Sequence, residues 1–582
     1  MVTGYTNYRT EIKNVKFIAD DGRTCTRTAI VSLFGHNGEE IGSELFGAID
    51  ITEVYKMIRE GKDLILDNFF LSEFSLATFR RHQGLDKKDF VQLKKFSAQN
   101  AFFEAKSCTD FSYAAFSDDD VNFDGAHFAK GKVLFNGTNF GKGNVIFSNS
   151  LFRDGHIEFT GSVFGDGDFL FKNAIVKDGI KDFQDIRFGD GEVSFANTEF
   201  NYGELLFINT QFGNGRFNFK VTRIGGGKVD FHYAVFGDCE VTFERAEFGD
   251  SRVDFRTVDF GSGRINFNRS VFGNGEVNFE GASCRSGKIQ FKKTEMGSGP
   301  KNFNLMEMMN AEINFERTEF GNGDVSFNNS HFKVLSLKSC HLDHYVDLRL
   351  ARAQILDVSD TIVRDIIDLE PYDFKINIDV LDMSGMRLIG KLYVDWKLNN
   401  CKEIIINQEE TSIRQKAEQF RILKENFSGT GKYDDEDEAY VMFKRFEANA
   451  NMTEAIAENK WARIWEYPEF AFKWFVFDKI GLYATSPGRV LLSVVFFWIF
   501  FGTTYFIIHL SGLGQTMSSV QNPDKLSPFL QSFYHSAITF FTIGYGDVFP
   551  MGLSRIVSGL EGFMGVFMMS YFTVAFVRKV LR

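Results

Sequence analysis

The residues with the most specific chemical promise lie near the end of the 582-residue chain, in the run Thr542-Ile543-Gly544-Tyr545-Gly546-Asp547. Glycines at alternating positions permit backbone conformations that side-chain-bearing residues resist, so successive carbonyl oxygens can be aimed at one axis. A row of such oxygens can replace the hydration shell of a cation. The carbonyls of Thr542, Ile543, Gly544 and Tyr545 would line that row, and the Thr542 hydroxyl would add an oxygen at its inner end.

Such a strand needs elements that hold it. The apolar stretch before it predicts a short helix over 527–541, whose negative C-terminal end would point at the ion path. Val490 to Ile508 is nineteen residues without a charge, enough to span about 29 Å as helix. Ile556 to Val577 is a second apolar stretch of twenty-two residues, broken only by Glu561. The expected pore domain is therefore 489–582, with membrane helices over 489–510 and 555–580. Upstream, 467–488 carries Trp474 between Lys473 and Lys479 and reads as a helix lying at a membrane interface. Residues 409–466 read as a helical linker of two amphipathic helices, parted by a turn at Ser428 to Gly431, with Asp434 to Asp437 early in the second. Basic residues flank the two spans, whereas the loop between them holds only Lys525, so both termini are expected in the cytoplasm. An Arg-rich sensor helix is lacking, which disfavours steep voltage gating.

The run TIGYGD resembles the signature filter of potassium channels, and the order helix, pore helix, filter, helix is similar to their two-transmembrane subunits. The wider arrangement resembles prokaryotic potassium channels that carry pentapeptide-like repeat domains. This resemblance implies K⁺ held by Thr542, Ile543, Gly544 and Tyr545. It places Asp547 behind the filter, with Tyr534 as a supporting donor. Where some members carry a Glu four residues before the filter Thr, this chain has Ile538, so inactivation through a Glu to Asp pair is not expected. One filter strand cannot enclose a pore, and a homotetramer around a four-fold axis is required. Glu561 is expected to play a structural part behind the filter. Gly565 matches the hinge position, while Met569, Thr573 and Val577, spaced four apart, would line the cavity and inner gate. Phe572 and Phe576 are expected to pack outward. Because the sequence stops five residues after Val577, control by the soluble part is expected to run through the linker and first membrane helix, without a direct pull on the second.

The larger N-terminal part is a repeat. Stepping by twelve from Phe111 to Phe327 meets nineteen positions, all Phe. A second apolar position follows each by five residues. The consensus V-x-F-x-x-x-x-F-G-x-G-x alternates as a short strand and then turns at glycines that tolerate positive φ. This predicts a parallel β-helix, a β-solenoid over 106–408. Twelve residues per coil would leave little room for phenyl rings between facing sheets about 10 Å apart, so two repeats per coil are favoured, stacking the nineteen repeats to about 45 Å. Residues 1–105 fall out of register and read as a cap region, with a basic stretch from Arg80 to Lys95 that would meet anionic lipid or a partner under a rival reading.

Composition narrows the function. A formal charge of -12 argues against a molecule-wide nucleic-acid surface. The six cysteines form no CxxC pair and no apolar leader opens the sequence, which fits a reducing compartment. Acidic corner residues do not recur as calcium-binding repeats require, and no acid–base cluster marks an enzyme. The expectation is a multidomain channel: β-solenoid, helical linker and all-α pore domain in the cell membrane. It would use no cofactor beyond K⁺ as permeant ion, contact lipid, and leave the ligand or partner of the solenoid open. The rival class is a membrane-anchored solenoid interaction protein with a non-conducting pore domain.

Overall fold

The computed structural model describes residues 4–18, 22, 24–372, 374–520 and 526–581. Lys525 and Arg582, which contributed to the orientation argument, lie outside them. Two compact units are present, Met1–Gln408 and Glu409–Arg582.

The first unit is a β-solenoid whose strands pair in parallel with those 24 residues on: Val145 with Phe169, Phe169 with Val193, Val193 with Phe217. On the opposite face Val133 pairs with Ile157 and Ile157 with Lys181. Each coil therefore holds two twelve-residue repeats. One sheet with 14 strands supplies one strand per coil, a stack of about 60 Å at ~4.8 Å per rung. The nineteen Phe repeats make up about 45 Å of this, and coils on both sides of them supply the rest. Parallel pairing already joins Gly47 to Phe69 and Leu64 to Phe96, so the expected boundary at 105/106 is too late. Irregular sequence in that stretch still supplies strand edges for the next coil to pair with. From Val325 the step shortens to 21, as in Val325 with Val346, and then lengthens to 25 in Arg352 with Asn377.

Helices α1 (Ile51–Arg59) and α2 (Leu76–Gln83) interrupt the first coils. The antiparallel strands Asn7–Lys13, Thr28–Phe34 and Glu40–Ala48 pair with one another at the N-terminal end. Arg80 of α2 does not face lipid: it is 3% exposed, donates to the Ser112 carbonyl at 2.7 Å and lies over the Tyr113 ring. After the last strand, Lys391–Tyr393, helix α3 (Cys401–Ile406) buries Ile404 and Ile405.

Inside, rings 24 residues apart stack face to face, as in Phe123 on Phe147 at 4.7 Å and Phe135 on Phe159 at 4.8 Å. The two columns meet edge to face, Phe135 against Phe147 at 5.4 Å and 81°. Both geometries suit the ring quadrupole and add about 0.5–1.5 kcal/mol per pair beyond burial. A buried hydroxyl three residues after many ladder Phe satisfies a carbonyl of the preceding coil. Thr138 donates to Phe111 O at 2.9 Å, Ser150 to Phe123 O at 2.8 Å and Thr198 to Phe171 O at 2.7 Å.

The corners bear out the positive-φ expectation at some glycines, such as Gly141, Gly261 and Gly321, and correct it at others. Left-handed φ falls two residues after the ladder Phe, at Asn173, Asn197 and Asn209, and even at Val221 with φ 58°. Gly189 and Gly213 do not need that region. A Cβ on either would strike a carbonyl oxygen of the coil beneath, that of Gly165 or Gly189. Close approach between coils, and not positive φ, demands these glycines.

The second unit is helical. α4 (Ile413–Thr430) begins with a Ser412/Gln415 capping box and α5 (Tyr433–Glu458) opens with Asp434, Asp435 and Glu436 in its first turn. The expected turn at Ser428 to Gly431 is shorter, because α4 runs on through Thr430 and left-handed Gly431 (φ 75°) alone closes it. Arg414 near the start of α4 grips Glu454 near the end of α5, fixing an antiparallel hairpin. The expected interfacial helix 467–488 is not continuous. Helix α6 (Arg463–Phe472) widens into a π-helical stretch, Lys473–Lys479, and then Leu482, Tyr483 and Ala484 take left-handed φ of 48°, 54° and 63° before Pro487. Three successive left-handed residues reverse the chain at a cost of roughly 1–2 kcal/mol each. Helices α7 (Pro487–Leu510), α8 (Pro528–Phe540) and α9 (Ser554–Val580) complete the unit. Val490, Val494, Phe497, Phe501 and Tyr505 form the inward stripe of α7, whereas Leu492 and Phe496 on its other side are 72% and 61% exposed. Both α7 and α9 are long and apolar enough to cross a membrane.

Two outcomes test this account of the solenoid. Gly189→Ala should lower its stability by about 1–3 kcal/mol through overpacking, read as a lower midpoint of the β-sheet circular dichroism melt. His127 is 1% exposed, beside the Tyr5 and Phe102 rings, and burial holds its imidazole down at about 4. Below the ordinary value near 6.5 the unfolded chain takes up a proton that the folded chain refuses, so stability is lost as pH falls from about 6.5 to 4. His127→Phe should show a smaller fall in melting midpoint between pH 7 and pH 5 than the parent.

Candidate functional site

Helix α8 starts on Ser527, whose hydroxyl accepts from Leu530 N at 3.3 Å, with Pro528 in its first turn. At its end the Ile538 carbonyl accepts from both Ile543 N (2.9 Å) and Gly544 N (3.1 Å). Ile538 thus holds the base of the following strand through its backbone. Thr542, Gly544 and Gly546 take positive φ of 56°, 58° and 76°, while Ile543 and Tyr545 do not. Alternating hands turn successive peptide planes in a way that one regular strand does not, and the whole stretch from Thr542 to Gly546 is exposed in the single chain.

Behind it, Tyr534 donates its phenol proton to Asp547 Oδ2 at 2.8 Å. Asp547 Oδ1 is buried without a hydrogen-bond partner among the described residues. Ser519 donates through Oγ to the Gly546 carbonyl at 2.8 Å and through its backbone N–H to the Asp547 carbonyl at 2.8 Å. Those two carbonyls are therefore engaged within the chain. Strands Gly514–Ser518 and Val548–Gly552 pair antiparallel and join the two sides of this region.

Glu561 of α9 is 0% exposed and meets two hydroxyl donors, Ser536 of α8 at 2.5 Å and Tyr505 of α7 at 2.6 Å. One carboxyl group so ties the three helices of the domain together at a single depth. Gly565, one turn further along α9, is buried, and a Cβ there would strike the Phe540 carbonyl at the end of α8. Its missing side chain has a packing reason, since α9 lies against the base of the short helix and is unbroken from Ser554 to Val580. Met569, Thr573 and Val577 share the exposed face of α9, opposite buried Met568, Tyr571 and Ala575. Phe572 packs against the helix core, whereas Phe576 is half exposed.

Tyr505, Ser536 and Ser519 escaped sequence reasoning. Tyr505 and Ser536 lie inside apolar helices, and only a partner such as Glu561 distinguishes them from ordinary helix residues. The expected route through the linker and the first membrane helix is too narrow, because the linker helix α5 also touches α9 itself. Arg578 Nη2 of α9 lies 3.0 Å from Asp437 Oδ1 of α5, and Lys579 Nζ lies 3.1 Å from Asp434. The acidic run had its own explanation in the α5 dipole, which hid its second role.

Tyr505→Phe removes one donor from a buried carboxyl group and should cost about 1–3 kcal/mol, seen as a lower thermal midpoint in detergent. Gly565→Ala should be at least as disruptive, because the atom it meets is backbone.

Residues 493–582 match the family model described as ion channel. No curated protein and no solved structure matches the chain. With α7 and α9 as its two candidate membrane spans and parallel coils from Gly47 to Tyr393, the chain is an N-terminal β-solenoid followed by helices and a C-terminal two-helix ion channel domain.

Proposed function

We propose that the protein is a homotetrameric K⁺-selective channel. The observation that carries this reading is the alternation of backbone hand at Thr542, Gly544 and Gly546. With Gly546 and Asp547 carbonyls engaged by Ser519, the carbonyls of Thr542, Ile543, Gly544 and Tyr545 are those left for the ion row. Thr542 would add its hydroxyl at the inner end, and α8 would direct its negative end toward the cavity. Four copies would surround the axis, with Met569, Thr573 and Val577 of each facing the water path. Tyr534, Asp547 and Glu561 would brace the filter from behind and touch no ion.

Apolar residues on the outer sides of α7 and α9, among them Leu492, Phe496 and Phe563, would face lipid. Trp461 and Trp465, each 78% exposed, together with Trp474, suit a headgroup-level position for α6 and the π-helical stretch. Both termini would be cytoplasmic. The solenoid would serve as a sensing, docking or scaffolding module, and conduction would need no cofactor and no catalytic step.

Potassium flux into liposomes bearing the purified full chain, with sodium as control, tests the reading. Flux in K⁺ and little in Na⁺ is expected, and Gly544→Ala should abolish it by straining a left-handed position. Wild-type protein that stays silent in both ions would favour the membrane-anchored interaction protein instead.

A further inference from the structure

The last turn of α9 is gripped from behind by the helical linker. Asp437, in the second turn of α5, is 7% exposed and faces two cations, Arg578 Nη2 at 3.0 Å from Oδ1 and Lys579 Nζ at 2.9 Å from Oδ2. Buried Glu436 stands 3.8 Å from the same guanidinium, which also lies 4.3 Å over the Tyr440 ring. Asp434 meets Lys579 at 3.1 Å but is almost wholly exposed, so solvent screens that pair. Acid at the start of α5 and base at the end of α9 each suit their own helix dipole, and the two ends oppose unlike charge.

The middle of the same helix is also fixed. Arg445, eight residues after Asp437, makes a forked contact to buried Asp478 of the π-helical stretch, at 2.8 and 3.1 Å. One level deeper, Tyr571 of α9 donates to the Phe477 carbonyl at 3.2 Å and accepts from Ala484 N at 3.1 Å. It thereby pins the left-handed turn at Leu482 to Ala484. The inner part of α9 is thus held at two levels, Tyr571 and Arg578, on the side away from Met569, Thr573 and Val577. Only Gly431 and Lys432 separate the acidic end of α5 from α4.

We propose that the Asp437 pairing with Arg578 and Lys579 is the gate-positioning contact of the channel, through which movement of the α4–α5 hairpin displaces the inner end of α9. The proposal rests on the channel reading and names the place where that channel is controlled. A buried acid shared between two cations favours discrete made and broken states, since a half-separated pair loses both attraction and solvent. Such a contact biases a two-state element in the sense that coupling between distant sites requires.

Single-channel recording of the full chain in planar bilayers, as a double-mutant cycle, tests it. Asp437→Asn and Arg578→Gln should each shift open probability about tenfold, in the same direction. The double variant should go no further than the larger single effect. Unitary K⁺ conductance and K⁺ over Na⁺ preference should stay at the parent values. Should either variant fail to assemble as a tetramer, Arg578→Lys, which keeps the charge and loses the guanidinium stacking on Tyr440, should give an intermediate shift. Open probability within about twofold of the parent in the assembled variants, or single effects that simply multiply, would overturn the proposal while leaving the channel reading standing. A parent chain that conducts no K⁺ would overturn both.

Discussion

A backbone carbonyl is a strong acceptor that folding normally satisfies, and an ion filter must leave several of them free, close together and aimed alike. The proposed filter sets that demand on the C-terminal domain. Left-handed Thr542, Gly544 and Gly546 turn the peptide planes. The Ile538 carbonyl takes the N–H groups of Ile543 and Gly544, anchoring donors while their own oxygens accept no hydrogen bond among the described residues. Ser519 and Tyr534 hold the outer end through Gly546 and Asp547. A strand built of repelling oxygens has little stability of its own, so its shape is borrowed from the helices around it.

Those helices are fastened by few polar groups at chosen depths. Glu561 joins α7, α8 and α9 through Tyr505 and Ser536, and Gly565 lets α9 touch the base of α8. Tyr571 and Arg578 then tie the inner portion of α9 to the π-helical stretch and to α5. Apolar packing of Val490, Val494, Phe497 and Met568 fills the space between these levels, and charged partners meet α9 at its C-terminal end. The solenoid works by different physics. Each coil touches its neighbours, and the same ring stacking, hydroxyl bond and glycine contact recur along the stack, so its stability grows nearly as a sum over coils.

Periodicity made the solenoid readable from Phe111 onward, because a core position that recurs every twelve residues is visible without a structure. The coils between Gly47 and Phe103 were hidden, since α1 and α2 interrupt the spacing while the strand pairing continues through space. Glycine could be recognised as a corner residue, yet its reason could not. Positive φ and close coil contact select the same residue type, and only the carbonyl of Gly165 beneath Gly189 separates them. In the C-terminal domain the short helix and the two candidate spans were plain from spacing and apolarity. Ion pairs such as Asp437 with Arg578 lie 141 residues apart, and no local pattern announces a partner at that distance.

The account stands most directly on the alternating backbone from Thr542 to Gly546 as a K⁺ filter. Reversal potential under bi-ionic conditions, K⁺ on one side of a planar bilayer and Na⁺ on the other, reads that property without reference to gating. A current that reverses far toward the K⁺ equilibrium potential in the parent, and loses that preference or vanishes in Gly544→Ala, is the predicted result. A parent current that reverses near zero, passing both ions alike, would contradict it.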